Sequence, residues 1–168
     1  GMISTLSAKI GNESFETGFH VTTPSAFSVQ KYLRKMVDSG VEFAVLEVTS
    51  HALDQHRVAF VPFFIGLITN VTQEHLDYHK SFKKYLLTKA KILNKVRYRI
   101  LNAEDPNYEK LRMLGTGQLV SFGSQGTDYF GEEIESFDDL STYIIYYKTK
   151  QKLLKTLSVS SNLIGEFN

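Results

Sequence analysis

Short apolar runs alternate with helix-like patterns over the first two-thirds of the chain, and this alternation limits the fold more than any other feature. Residues 43–46 and 63–68 are almost continuously apolar, which is typical of strands covered on both faces by helices. Ahead of the first run, five apolar residues recur with helical spacing; they are Val29, Tyr32, Leu33, Met36 and Val37. The alternation predicts β-α-β units and an α/β fold built on a mostly parallel sheet.

The boundaries of these elements follow from local signals. Thr23-Pro24 fits a helix start and Gly40 a helix end. A second helix is predicted over 81–94, a third strand over 97–101 and a further helix near Pro106. Within a parallel sheet we expect strands 43–48 and 64–69 to be neighbours or near neighbours.

After Gly115 the chain changes to a β pattern punctuated by glycine and serine. We predict antiparallel strands at 118–122, 143–147 and 155–160, the last two forming a hairpin with a polar turn at 149–152. The expected organisation is a three-layer α/β core over 1–117 and a small antiparallel β subregion over 118–160.

Composition excludes several classes of function. Nineteen Lys and Arg against eighteen Asp and Glu give a net charge of +1, without the basic excess that indicates nucleic-acid binding. The chain has no cysteine, which excludes disulfides, thiolate metal sites and a cysteine nucleophile. No apolar stretch is long enough to span a membrane, and no secretory signal precedes the first strand. We therefore expect a cytoplasmic protein with neither nucleic acid nor membrane as partner.

Polar residues follow each of the three predicted parallel strands. These are Glu47, then Thr69-Asn70, then Asn102 with Asp105. Open α/β sheets bind ligands at the carboxyl ends of their strands. The same residues are also common in ordinary turns, so pattern alone leaves both interpretations open.

Four of the five histidines fall in two clusters, His51 with His56 and His75 with His79. The i, i+4 spacing of the second cluster suits either a metal site or a hydrogen-bonded pair. Nearby carboxylates at Glu47, Glu74 and Asp77 favour magnesium over zinc if a metal is bound.

Lys89 departs from the pattern of its helix. The apolar arc contains Phe82, Tyr85, Leu86, Ile92 and Leu93, and Lys89 falls inside it, whereas Lys83, Lys84, Lys91 and Lys95 do not. Either its stem packs on apolar surface while the ammonium reaches water, or a desolvated, neutral amine is available for chemistry.

Six segments together resemble a known family. They are "TTP" from Thr22, "EVTSHALDQHRV" from Glu47, "TNVTQEHLDYH" from Thr69, "LTKAKIL" from Leu87, "LNAEDP" from Leu101 and the terminal "LIGEFN". In this order and spacing they resemble the central domain of the Mur ligases, in particular those that add the third residue of the peptidoglycan stem peptide.

The resemblance implies an ATP-dependent ligase. ATP would phosphorylate the terminal carboxylate of UDP-MurNAc-L-Ala-D-Glu, and the amine of diaminopimelate or lysine would attack the acyl phosphate. Magnesium would neutralise the phosphates.

Site residues follow from the same resemblance, position by position. Glu47 and His75 match magnesium ligands, and Lys89 matches a carbamylated lysine whose anionic oxygens support the metal; Lys89 and His75 are thus the catalytic candidates. Asn70 matches a residue near the nucleotide phosphates. The positions that match contacts to the UDP-muramyl substrate are Thr22, Thr23, Thr49, Gln55 and Arg57.

The chain also departs from the family. Thr49 replaces a serine and Glu74 an aspartate, but no loop of the GxxGK[ST] type that cradles phosphates occurs in the 168 residues. The resemblance therefore predicts a partial Mur ligase, without the flanking domains and inactive alone. The alternatives are a non-catalytic muramyl-peptide-binding or scaffold protein and, against the ordered motifs, a metal-dependent hydrolase built on the histidines.

Overall fold

The computed structural model describes residues 1–17, 22–72, 76–137, 140–148 and 153–161. They form an α/β fold with two separate sheets, which confirms the predicted fold class. The chain divides into two compact units. The first unit comprises Gly1–Phe63 and Gln73–Ile92, and the second comprises Phe64–Thr72 and Leu93–Asn168.

The first unit contains a four-stranded sheet in the order β3-β2-β1-β4. Its strands are β1 Met2–Ile3, β2 Ala8–Ile10, β3 Glu13–Phe15 and β4 Val45–Leu46. β1 pairs antiparallel with β2 and parallel with β4. The carboxyl ends of β1 and β4 therefore meet at one edge of this sheet, as parallel pairing requires.

Helix α1, Ala26–Asp38, follows the predicted apolar stripe. Its N-cap is Ser25, whose hydroxyl accepts from the Ser28 amide, so the start predicted at Thr23-Pro24 is wrong by two residues. The predicted end at Gly40 is confirmed, since φ there is +70°, which favours glycine. Met36 packs with Ile3, Ala8 and Ile10 in the core of this unit, but Val37 is 66% exposed because it lies at the border of the stripe.

Three further helices complete the first unit. They are α2 Ser50–Asp54, α3 Leu76–His79 and α4 Phe82–Lys89, and a 3-10 turn, Ala90–Leu93, follows α4. Within the predicted helix over 81–94, residues 82–93 are helical, first as α4 and then as the 3-10 turn, and Ser81 is the N-cap. Among the described residues, no helix is long and apolar enough to cross a membrane.

The second unit contains a six-stranded sheet in the order β10-β9-β8-β7-β6-β5. Its strands are β5 Ile65–Ile68, β6 Tyr98–Asn102, β7 Gln118–Gly123, β8 Tyr129–Phe137, β9 Leu140–Lys148 and β10 Leu153–Ser161. β5 to β8 are parallel neighbours. β8, β9 and β10 pair antiparallel.

Two predictions about the strands around residues 43–69 are wrong. β4 belongs to the first sheet and β5 to the second, so they are not neighbours, because β4 pairs with the short N-terminal strand β1 instead. Nor are these strands covered on both faces: Phe43 is 78% exposed, Val45 64% and Leu67 48%. A continuous apolar run indicates that burial would be favourable, but it identifies neither the pairing partner nor the covering element.

The predicted direction of the strand at 118–122 is also wrong. β7 runs parallel to β6 and β8, because the chain between β6 and β7 crosses over through the short helix α5, Tyr108–Leu111, and so returns in the same direction. The antiparallel pairing of 143–147 with 155–160 is confirmed. Its predicted turn at 149–152 lies outside the described residues, and the sequence patterns missed β8.

Candidate functional site

The parallel pairing of β1 and β4 brings two polar residues together. Ile3 is aligned with Leu46, and the Glu47 amide donates to the Ile3 carbonyl at 2.8 Å. Just beyond this pair, the Thr5 amide donates to Glu47 Oε2 at 2.9 Å. The Thr5 hydroxyl lies 3.1 Å from the same oxygen and 2.9 Å from the Thr22 hydroxyl. Glu47 and Thr22, both predicted site residues, are therefore joined through Thr5.

Thr23 connects the same region to α2. Its hydroxyl donates to the Glu47 carbonyl at 3.0 Å and accepts from the Thr49 amide at 3.2 Å. Thr49 in turn caps α2, its hydroxyl accepting from the Ala52 amide at 3.1 Å. Thr23 is only 1% exposed, so this hydroxyl is a buried junction between the loop before α1 and the loop after β4.

Arg57 completes this arrangement from the far end of α2. Its Nε and Nη2 donate to Gln55 Oε1 at 2.9 and 2.6 Å, and its Nη1 donates to the Thr23 carbonyl at 2.9 Å. An arginine has five N–H donors, so two remain for a ligand. We call the connected set Thr23, Glu47, Thr49, Gln55 and Arg57 the Arg57 network. It joins residues up to 34 positions apart in the sequence.

Tyr78 and Asp54 extend the network towards α3. The Gln55 amide donates to the Tyr78 hydroxyl at 3.5 Å, and that hydroxyl donates to Asp54 Oδ2 at 3.1 Å. This hydrogen bond from Tyr78 is the main reason that the pKa of Asp54 lies below its ordinary value, opposed by partial desolvation and assisted by the Lys91 ammonium. Asp54 is therefore ionised at neutral pH.

Lys89 lies on α4 with its amine 5.2 Å from the centre of the Tyr85 ring. Tyr85 is 1% exposed and Lys89 half-buried, as the predicted apolar arc required. His75 lies outside the described residues, so its predicted meeting with Glu47 and Lys89 stays a prediction.

The other histidines of the two clusters lie in different surroundings. His79 is fully buried, and its Nε2 lies 3.0 Å from the Ser50 hydroxyl. His51 packs against Tyr78, with ring centres 4.2 Å apart. His56 is exposed with φ +56°, a turn conformation. Both interpretations of the i, i+4 pair stay open, because His75 lies outside the described residues.

The donor chemistry at Glu47 fits a magnesium ion. Magnesium is held by one or two carboxylates together with phosphate oxygens and water, and Glu47 supplies one such carboxylate. Within the described residues Glu47 Oε1 makes no hydrogen bond, whereas Oε2 makes those to Thr5. No group of three His, Asp or Glu side chains suited to a metal occurs there, so the remaining ligands would come from the nucleotide, water or the residues not described.

Asn70, the predicted nucleotide residue, lies in the second unit at the end of β5. The next residue, Val71, is held by two buried side chains. Its amide donates to Asp105 Oδ2 at 2.5 Å, and its carbonyl accepts from Asn107 Nδ2 at 3.1 Å. Asp105 Oδ1 also accepts from the Asn107 amide at 2.6 Å. We call Val71, Asp105 and Asn107 the Asp105 clamp; it fixes the backbone directly after Asn70.

In each unit polar residues follow the carboxyl ends of parallel strands, the position at which open α/β domains bind ligands; the class that the fold defines is that of α/β domains. Comparison with known proteins is more specific: the family model of the Mur ligase middle domain matches residues 1–168. The chain belongs to the Mur ligase family.

Named relatives agree with this assignment. The UDP-N-acetylmuramoyl-L-alanyl-D-glutamate–2,6-diaminopimelate ligase of Bacillus cereus is 33% identical over 178 aligned residues, covering 100% of this chain and 35% of the relative. The ligase of the same name from Clostridium perfringens is 34% identical, covering 100% of this chain and 34% of the relative. The chain thus spans about a third of the length of these relatives.

Solved structures show the same fold. One titled as a UDP-N-acetylmuramoyl-L-alanyl-D-glutamate–2,6-diaminopimelate ligase superposes with a TM-score of 0.78 at 22% identity, covering 98% of this chain and 34% of that one. MurF from Acinetobacter baumannii superposes with a TM-score of 0.54 at 20% identity, covering 75% of this chain and 30% of that one.

Sequence reasoning missed Thr5, which links the predicted positions Glu47 and Thr22, and Tyr78, which contacts Gln55. Thr5 carries no local signal, because its partner Glu47 is 42 residues away. Only the parallel register of β1 and β4 identifies it. Tyr78 lies within the quoted "HLDYH" segment, and its distance of 23 residues from Gln55 hides their contact in the same way.

Proposed function

We propose that this chain is the central part of a ligase that adds the third amino acid to UDP-MurNAc-L-Ala-D-Glu in peptidoglycan synthesis. Family membership and the activity named for the relatives support the reaction class. The observation that carries the proposal is the Arg57 network, because it unites four of the five predicted substrate residues around a guanidinium with two donors left for a ligand. A cytoplasmic location is part of the proposal.

The chemistry assigns a role to each set of residues. Arg57 presents a planar, permanently charged fork that suits a carboxylate or diphosphate oxygen. Thr22, Thr49 and Gln55 would contact the muramyl substrate beside it, whereas the buried Thr23 would act from behind, because its carbonyl accepts from Arg57. ATP phosphorylates the terminal carboxylate, and the amine of diaminopimelate, the amino acid in the relatives' names, then attacks the acyl carbon and releases phosphate.

The metal and nucleotide side of the site is assigned to the remaining residues. Glu47 and His75 would hold magnesium, which neutralises charge on the transferred phosphoryl group when bound. Lys89 would carry a carbamate, formed when its amine makes an N–C bond to carbon dioxide and releases one proton, and this would leave an anionic group on that side. Asn70, on the second unit, would contact the nucleotide phosphates, and the Asp105 clamp fixes the residue that follows it.

The substrate assignment is tested by binding. We expect UDP-MurNAc-L-Ala-D-Glu to bind the 168-residue chain in isothermal titration calorimetry, and Arg57→Ala to weaken it about tenfold, equivalent to about 1.4 kcal/mol. Arg34→Ala is the matched control, since Arg34 is an exposed arginine of the same unit paired with Asp38, and it should bind like the wild type. If Arg57→Ala bound the substrate as tightly as Arg34→Ala, the assignment of the substrate site would be rejected.

Catalysis by the isolated chain is a separate question. Because the 168 residues contain no GxxGK[ST] loop, we expect neither ligation nor ATP hydrolysis from this polypeptide alone. Phosphate release that depends on both UDP-MurNAc-L-Ala-D-Glu and diaminopimelate would contradict this expectation. Binding without turnover agrees equally with the non-catalytic alternative. To distinguish the two, a Mur ligase segment that carries the loop is joined ahead of the chain. Turnover by this fusion would support the ligase over the alternative.

A further inference from the structure

We propose that Thr5 is a positioning residue for the Glu47 carboxylate, holding one carboxylate oxygen so that the other faces a divalent cation. The inference rests on the proposed function, in which Glu47 binds that cation. It adds a residue that no sequence motif identified and that links the cation side of the site to Thr22 on the muramyl side.

The two donors of Thr5 converge on a single oxygen. The Thr5 amide lies 2.9 Å from Glu47 Oε2 and the Thr5 hydroxyl 3.1 Å from the same atom. A glutamate side chain has three rotatable bonds, and one hydrogen bond leaves the carboxylate free to turn about it. The Thr5 amide, joined by the hydroxyl whenever its proton is directed at Glu47, restricts that freedom and leaves Oε1 as the oxygen available to a ligand.

The negative charge of Glu47 is available to a cation. Within the described residues its carboxylate forms no ion pair, and the donors from Thr5 are neutral. An ion pair with lysine or arginine would have competed with a metal ion for the same negative charge. Neutral hydrogen bonds orient the carboxylate without cancelling that charge.

Thr22 competes for the Thr5 hydroxyl. The hydroxyl lies 2.9 Å from Thr22 Oγ1 as well as 3.1 Å from Glu47 Oε2, and its single proton can be donated to only one of them at a time. Removal of the Thr22 hydroxyl therefore leaves the Thr5 proton to Glu47 alone. Removal of the Thr5 hydroxyl leaves Glu47 with only the amide donor. The two changes should act on Glu47 in opposite directions.

The test compares Thr5→Val, Thr5→Ser and Thr22→Val with the wild-type chain by NMR. Side-chain couplings and methylene relaxation report the order of Glu47 without metal, and Mn²⁺ titration followed by paramagnetic broadening reports cation affinity. We expect Thr5→Val to disorder the Glu47 side chain and to weaken Mn²⁺ binding about fivefold. Thr5→Ser should restore both, and Thr22→Val should leave Glu47 at least as ordered as in the wild type. If the variants melt at the same temperature as the wild type, their effects on Glu47 do not arise from a loss of overall stability.

Each result decides one part of the proposal. If Thr5→Val leaves Glu47 order unchanged, Thr5 does not position it, and the proposal is overturned while the proposed function stands. If Glu47 becomes disordered but Mn²⁺ broadens no signal near Glu47 even in the wild type, the cation role of Glu47 in the proposed function fails and the cation part of this inference fails with it. If Thr5→Val disorders Glu47 and weakens Mn²⁺ binding, and Thr5→Ser reverses these two effects, the result supports the role of Thr5 and the cation role of Glu47.

Discussion

The Arg57 network of the first unit and the Asp105 clamp of the second use similar hydrogen bonds in different surroundings. In the clamp all three residues are buried: Val71 is 4% exposed, Asp105 6% and Asn107 7%. In the network only Thr23 is comparably buried, at 1%, whereas Glu47 and Gln55 are exposed.

This difference in burial indicates which of the two regions contributes to stability and which to binding. A buried donor or acceptor that loses its partner costs about 1–3 kcal/mol, because water cannot replace the partner. At an exposed position water replaces the lost bond, so the group is available to a ligand at little cost to the fold. The clamp therefore stabilises the second unit, and the exposed part of the network is suited to recognition.

Asp105→Asn should have the largest effect. The asparagine amide nitrogen cannot accept a hydrogen bond, so either the Val71 or the Asn107 amide loses its acceptor, and we expect the free energy of unfolding to fall by about 2 kcal/mol. Urea unfolding measures it, with Glu104→Gln at the neighbouring exposed carboxylate as the control. Equal losses in both variants would show that burial of the clamp has no special importance.

Thr23→Val tests the buried junction of the network. The Glu47 carbonyl and Thr49 amide lose their shared partner, and we expect the free energy of unfolding to fall by about 1 kcal/mol. Thr23→Ser keeps the hydroxyl and should recover most of this loss in the same urea experiment. A serine variant as unstable as the valine variant would mean that the methyl group, and not the hydroxyl, matters here.

Gln55→Ala tests the exposed part of the network. We expect a change in the free energy of unfolding below about 0.5 kcal/mol, together with weaker binding of UDP-MurNAc-L-Ala-D-Glu, because Arg57 loses the acceptor of two of its donors. Calorimetry and urea unfolding on the same preparation measure both. If Gln55→Ala lost stability but bound the substrate as tightly as the wild type, this part of the network would stabilise the fold and would not serve binding.

Tyr78→Phe should give the smallest effect. Without the tyrosine hydroxyl, the pKa of Asp54 should rise towards its ordinary value of 3.8. Because the folded-state pKa is lowered, the associated stability is present above about pH 4 and is lost as the pH falls through the folded pKa. Carboxyl NMR titration of Asp54 in both proteins measures the shift; identical titration curves would assign the lowered pKa to Lys91 instead.

Local patterns predicted local structure well. The stripe of α1 and the arc of α4 were readable because helical spacing repeats within a few residues, and the half-buried position of Lys89 followed from it. Strand pairing was not readable in this way. Two apolar runs contain no information about their partners. A helix near Pro106 was predicted, and α5 lies there, but the glycine- and serine-rich pattern after Gly115 was interpreted as antiparallel, so the crossover before β7 was missed.

Motifs predicted candidate site residues but not the hydrogen bonds that connect them. Glu47, Thr49 and Arg57 were found through the resemblance, yet the hydrogen bonds that join them depend on side-chain geometry across loops. Thr5 shows the limit most clearly. It is an exposed threonine in a polar turn, and only the pairing of Met2–Ile3 with Val45–Leu46 brings it to Glu47.

The position of β5 has a consequence for the handling of this chain in solution. β5 is an edge strand in the described part of its sheet, and on one face it carries Ile65 and Leu67, which are 46% and 48% exposed. An apolar edge strand without a charge or proline within it can pair with the edge of another molecule. Purified material should therefore self-associate as its concentration rises, and Leu67→Lys should raise the concentration at which it remains monodisperse.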